Sequence, residues 1–134
     1  MIANLKLMRA AFDILGTEAA QNSEAMKALD YAAGKPVLRP FTVDAFGLAA
    51  AGGNPHALDA LLDYKSHGWL LSSTVGAMKY PAGKHQLRAI DFLIAVLDEP
   101  KDKPLHHMAR NGLEEAAETG DEKAKAALQA HPKQ

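Results

Sequence analysis

The sequence predicts an all-α fold in which about four helical hairpins stack side by side as a solenoid. The first observation is a repeated phrase, a turn followed by the start of an amphipathic helix, with a period of about 32 to 35 residues. The phrase is plainest at Gly53–Leu62, and it recurs at Gln21–Leu29, Ala89–Ile94 and Gly120–Leu128. A period in this range is typical of helical repeat proteins, in which each hairpin buries its apolar face on the next one.

The second observation is that apolar residues fall into columns when the repeats are aligned. The second helices share the columns Ala25, Ala57, Ala89, Ala124 and Leu29, Leu61, Leu93, Leu128. The first helices share the columns Ile14, Phe46, Met78, Leu113 and Leu38, Leu70, Leu105. We therefore predict a single domain, 1–134, with units at approximately 1–34, 35–68, 69–100 and 101–134.

The first two units contain clear helix signals. In the first unit, Gly16 and Thr17 are positions where the first helix can end, Asn22 is a candidate N-cap, and Gly34 is a candidate left-handed C-terminal residue. The second unit has Pro40 in a first turn, where the missing N–H costs little. It continues with Asn54 as the cap of its second helix, and Lys65–Gly68 closes it.

The last two units follow the same plan. Trp69 opens the third unit, and Tyr80–Gly83 is the predicted break between its helices. The next helix, Leu87–Leu97, is the most apolar, which favours burial by neighbours on both sides. Gly120-Asp121 turns and caps the last helix, whose polar outer face is typical of a terminal repeat.

Composition and charge narrow the function classes. The chain has 134 residues, a net charge of -1 and no cysteine. A near-neutral chain lacks the basic footprint expected for nucleic-acid binding, and without cysteine no disulfide or thiolate site can form. Residues 1–9 lack the layout of a secretory signal, and no apolar run is long enough for a membrane span. We expect a cytoplasmic protein that binds neither membrane nor nucleic acid.

The repeat phrase resembles that of a known family. Proline in the loop, a glycine-aspartate turn and a second helix with Ala-x-x-x-Leu are similar to HEAT repeats, above all in Leu97–Leu128 and next in Gly53–Leu58. The short HEAT repeats of proteins related to bilin lyases are the most similar kind. The resemblance implies a right-handed α-α superhelix of the HEAT or armadillo type, with the second helices on the concave, partner-binding side. The first-helix arginine usual in the family is missing from the middle units.

One column of polar residues on the second helices is a candidate binding surface. Glu24, His56, Arg88 and Lys123 align, and Lys27, Asp59 and Asp91 align one turn later. If this side is concave, its centre holds four residues that we predict to bind a partner: His56, Asp59, Arg88 and Asp91. An ordinary solvated helix face with cross-helix ion pairs is the alternative interpretation.

Catalysis, metal and cofactor sites are not indicated. The six histidines include no His-Glu dipeptide, the pairing by which HEAT-type deoxyhypusine hydroxylases hold iron. His106 and His107 are adjacent and point about 100° apart on a helix. Ser72-Ser73-Thr74 lacks the flanking glycines of a nucleophile elbow. We predict no catalytic residue, no metal ligand and no cofactor.

The sequence thus favours a non-enzymatic scaffold that binds a protein or peptide through the second helices. Two alternatives stay open: a small-ligand or bilin-lyase-like protein, and a HEAT-like DNA-repair or DNA-binding module. Because the ends of a stack expose apolar edges, a homodimer is also compatible with the sequence.

Overall fold

The computed structural model describes residues 2–64 and 71–132, whose regular elements are all helices, with no strand among them. The elements are α1 (Ile2–Ala19), α2 (Ser23–Ala33), α3 (Arg39–Ala51), α4 (Pro55–Tyr64), α5 (Leu71–Ala77), α6 (Lys79–Gly83), α7 (Leu87–Asp98), a 3-10 helix (Pro100–Leu105), α8 (His106–Glu118) and α9 (Glu122–Ala130). The predicted all-α class is confirmed. Three sequence assignments lie outside the described residues: the end of the second unit at Lys65–Gly68, the role of Trp69, and Leu70 as a member of the column with Leu38 and Leu105.

The helices pack in the order in which they occur in the chain. Consecutive helices form the pairs α1 with α2, α3 with α4, α6 with α7, and α8 with α9, and α5 and α6 together serve as a first helix that bends at Met78. Contacts between pairs run mainly through the first helices: α1 packs on α3, α3 on α5 and α6, and α6 on α8.

Hydrogen bonds join each inter-helix turn to the next one. Each bond runs between a polar side chain of one turn and a group of the neighbouring turn: Gln21 with the Gly52 carbonyl, Asn54 with the Ala19 carbonyl, Gln86 with the Ala50 carbonyl, and His85 with Asp121 and Thr119. Asp121 also accepts from the Ala124 N–H at 2.9 Å. This backbone hydrogen bond is the main reason why the pKa of Asp121 lies below its ordinary value.

Three of the predicted columns form the core, with their less buried members in the first and last pairs, whereas Leu38 and Leu105 of the fourth column are only partly buried. Leu29, Leu61 and Leu93 are all fully buried, as are Phe46, Met78 and Leu113 of the first-helix column. Ile14, the remaining member of that column, is 66% exposed. Its exposure follows from its place in the outermost pair, where no preceding hairpin of the described chain covers it.

Three local predictions need correction, and a fourth is confirmed. The first helix does not end at Gly16 but continues to Ala19, because a single glycine weakens a helix by only about 1 kcal/mol. Gly34 has φ −73°, so it is not left-handed. Residues 80–83 lie inside α6 and do not form the break, which falls after Gly83. The predicted N-cap Asn22 is confirmed, since its side chain accepts from the first-turn N–H groups of α2.

A charged contact lies where α1 meets α3. Arg9 Nη1 is 3.8 Å from Asp44 Oδ2, and the Asp44 side chain is 37% exposed. Burial raises the pKa of Asp44, and the attraction of Arg9 does not offset it. The free-energy penalty of burying the ionised Asp44 carboxylate is therefore larger than the stabilisation that it gains from the long ion pair with Arg9.

Asp44→Asn is expected to leave the free energy of unfolding at pH 7 unchanged or higher, by less than about 1 kcal/mol. A pKa raised on folding stabilises the folded chain in acid, and this contribution is lost as the pH rises through the folded pKa. The gain from the substitution should therefore shrink as the pH falls toward 3.8, the ordinary value for aspartate. Urea titrations of both proteins at several pH values measure this. Glu18→Gln, at an exposed position of α1, is the control and should bring no gain.

Candidate interaction surface on the second helices

A line of ion pairs runs across the exposed sides of α2, α4, α7 and α9. Each pair joins a basic side chain to a carboxylate on the second helix before it. The pairs are His56 Nε2 with Asp30 Oδ2 at 2.9 Å, Arg88 Nη1 with Asp59 Oδ1 at 2.6 Å, and Lys123 Nζ with Asp91 Oδ1 at 2.5 Å. We call these six residues the ion-pair ladder.

The repeat itself positions the ladder. His56, Arg88 and Lys123 are each the second residue of their helix. Asp59 and Asp91 are each the fifth residue, so they lie one turn further on the same face. A base at the start of one helix therefore reaches an acid one turn into the helix before it.

The first step of the ladder differs because of one residue. The fifth residue of α2 is Lys27, which pairs with Glu24 of its own helix at 3.3 Å. A base cannot serve as the acceptor for His56. His56 reaches instead to Asp30, which is almost one turn beyond Lys27 on α2.

The ladder contains all four residues that the sequence analysis favoured: His56, Asp59, Arg88 and Asp91. Only one pair among them is in direct contact, Arg88 with Asp59. His56 pairs instead with Asp30, and Asp91 pairs with Lys123, two partners that were not predicted from the sequence. Lys123 shares the column of the other bases, so the aligned repeats carried a signal for it. Asp30 lies outside both columns, and no sequence signal pointed to it.

The ion pairs of the ladder surface are open to solvent. Helices α4 and α7 carry four aspartates, and three of these are ion-paired: Asp59 with Arg88, Asp91 with Lys123 and Asp98 with His131. Ladder side chains are between 46% and 60% exposed. Ion pairs this exposed contribute roughly 0.2–1 kcal/mol each, so a cationic partner can exchange with the internal bases at little cost.

A cleft of about 300 Å³ lies beside the first step of the ladder, between α2, α3 and α4. Asp30 and Asp63 line it, together with Tyr64 and Arg39. Arg39 donates through Nε to the Ala33 carbonyl at 2.9 Å. Burial raises the pKa of Tyr64, so its phenol stays neutral. The cleft is thus lined by two carboxylates, one guanidinium group and a largely buried tyrosine.

A second cleft, of about 730 Å³, lies at the other end of the chain and is lined by Asp98, Lys103, His106, His107, Arg110 and His131, among others. His131 Nε2 is 2.6 Å from Asp98 Oδ1, and Arg110 donates to the His131 carbonyl. These two contacts hold the end of α9 against α7 and α8. Across residues 2–64 and 71–132, no three His, Asp or Glu side chains are placed to hold a metal ion.

No protein-family model, curated protein or solved structure matches the chain. Within the part of the chain that the structure describes, no helix combines the length and the apolarity needed to cross a membrane.

Proposed function

We propose that this protein is a HEAT-like right-handed solenoid that acts as a non-enzymatic scaffold and binds a basic peptide segment of a partner protein along the ion-pair ladder. The order of helix contacts and the bonds between successive turns support a linear stack. In such a stack the second helices form one continuous surface, which suits an extended ligand.

The observation that carries the proposal is the exposure of the ladder's ion pairs, whose carboxylates a cationic ligand can reach from solvent. A lysine or arginine of the ligand gains from the carboxylates of Asp59 and Asp91, and it displaces only the exposed partners Arg88 and Lys123. These displaced side chains return to water, where exposed charges are well solvated. The exchange therefore favours a ligand that brings several positive charges at once.

The cleft between α2, α3 and α4 gives the ligand an anchor point. Asp30 belongs both to the ladder and to the lining of this cleft. Asp63 also lines the cleft, so a basic side chain that enters it has two carboxylates within its reach, on the side away from Arg39. The bound segment would then run from this cleft toward α7 and α9.

The test is a binding titration with an oligolysine peptide, an oligoglutamate peptide of equal length and a DNA duplex, followed by NMR. We expect the oligolysine peptide to bind and to shift amide signals of α4 and α7. Asp59→Asn with Asp91→Asn should weaken binding about 2- to 25-fold, as expected for the loss of two exposed charge contacts.

The matched control removes the same charge elsewhere. Glu18→Gln with Glu118→Gln neutralises two exposed carboxylates of α1 and α8, on the first helices. It should leave the affinity for oligolysine nearly unchanged. Equal losses in both double variants, or shifts confined to the first helices, would refute binding at the ladder. Salt-sensitive binding of the DNA duplex would favour the nucleic-acid alternative.

A further inference from the structure

The outer side of α1 carries an exposed apolar stripe. Leu7 is 70% exposed and Ile14 is 66% exposed, and the small side chains of Ala10 and Ala11 between them are exposed as well. We call these four residues the α1 stripe. A leucine and an isoleucine exposed to this degree, on one helix face with only alanines between them, form an apolar patch of the kind found at interaction sites.

In the later helix pairs, the position equivalent to Ile14 lies in the protein interior. The residues equivalent to Ile14 in the three later pairs are Phe46, Met78 and Leu113, and all are buried. The described chain supplies no helix to cover the same position on α1. A partner that covers the stripe would give Ile14 the environment that its counterparts have.

We infer that the α1 stripe binds the same stripe of a second copy of this chain, with the two α1 helices antiparallel about a two-fold axis. The axis passes near Ala10 and Ala11, so Leu7 of each copy lies beside Ile14 of the other. A two-fold interface requires such a self-complementary patch. The alanines at the centre allow the helix backbones to approach closely. This pairing is independent of the function proposed for the ladder.

The charges beside the stripe favour the antiparallel orientation. Lys6 and Asp13 are seven residues apart, so they flank the stripe on the same side. In an antiparallel pair, the flank of α1 that carries Lys6 and Asp13 lies next to the same flank of the second copy. Lys6 of each copy therefore faces Asp13 of the other, and two ion pairs form. In a parallel pair, the flank with Lys6 and Asp13 would instead lie next to the other flank of the second copy's α1, which carries Met8 and Leu15. Among the described residues, neither Lys6 nor Asp13 forms an ion pair within the chain.

The opposite end of the chain argues against head-to-tail association. The outer helix there is α9, whose exposed residues include Glu122, Lys125 and Gln129. An apolar stripe gains nothing by packing on such a polar face. A closed two-fold dimer is therefore favoured over an open filament. One helix per copy makes a small interface, below about 1,200 Å² in total, so the dimer should form only at raised concentration.

The test is sedimentation velocity of the full chain between about 10 μM and 1 mM, a range suited to a small interface. We expect a monomer–dimer equilibrium. Ile14→Asp should raise the dissociation constant at least about tenfold, and because Ile14 is exposed the fold should survive, as circular dichroism can verify. Asp13→Lys should also weaken the dimer about tenfold, since two attractive pairs become repulsive.

The decisive variant combines Lys6→Asp with Asp13→Lys, which restores both ion pairs with their signs exchanged. Its dissociation constant should return to within about threefold of the wild-type value. A chain that stays monomeric at the highest concentration would overturn the inference. So would a dimer that is insensitive to Ile14→Asp, or mass that grows steadily with concentration as in a filament.

Discussion

Leu61→Ala is expected to lower the free energy of unfolding by about 2–5 kcal/mol. Leu61 lies on α4 with none of its side chain exposed, and it occupies the same column as Leu29 and Leu93 of the neighbouring pairs. Truncation removes buried apolar surface and leaves a cavity. Because α4 is packed between neighbouring helices on both sides, these helices cannot move in to fill the cavity. Urea denaturation followed by circular dichroism measures the loss.

The matched control is Leu128→Ala, the same substitution in the same column of the last pair. Leu128 is only partly buried, because α9 has neighbours on one side alone. Its truncation should cost clearly less than that of Leu61, since the site relaxes more easily and starts with less area to lose. Equal losses at the two positions would contradict a linear stack, in which central and terminal pairs differ in their surroundings.

The parts of the fold that depend on local signals could be predicted from the sequence. Asn54 and Asp121 were assigned as N-caps, and both accept hydrogen bonds from first-turn N–H groups. Pro40 was placed in a first turn, and it lies there in α3. These features follow from the chemistry of single residues, so no knowledge of distant neighbours was needed.

The features that depend on distant neighbours were missed. Ile14 fits its column by sequence, yet whether the column is covered depends on which helices lie around it. Similarly, His85 occupies a turn position with φ 62°, where the equivalent turns have Gly53 and Gly120 at positive φ. Glycine at that turn is what a repeat comparison expects. His85 is bonded across to Asp121 and Thr119, contacts that only the packed structure reveals.

The candidate surface was predictable in its positions but not in its pairing. The columns identified the helix face, because the second and fifth residues of each second helix recur with the repeat. The partner of each charge depends on the offset between neighbouring helices, which the sequence does not contain. Lys27 shows this most clearly. It occupies the column of Asp59 and Asp91 but is positively charged, so His56 pairs with Asp30 instead.

Gly16→Ala is expected to destabilise the protein by about 1–3 kcal/mol, although alanine is the better helix former. Gly16 lies within α1, where it is buried against α3. A Cβ atom at this position would lie 2.5 Å from the Ala45 carbonyl oxygen and 2.7 Å from its Cα. Backbone atoms cannot move aside as a flexible side chain can, so α1 and α3 must separate.

Gly83→Ala provides the control for helix propensity. At that position the nearest atom to a new Cβ is Glu115 Oε2 at 3.8 Å, an ordinary contact distance. Without a clash, the substitution should change stability little or raise it by up to about 1 kcal/mol. Urea denaturation of both variants separates the steric clash from the effect of helix propensity, because alanine favours the helix at both sites but clashes only at position 16. A gain in stability from Gly16→Ala would show that α1 does not approach α3 this closely, and the packing of the first two pairs would then need revision.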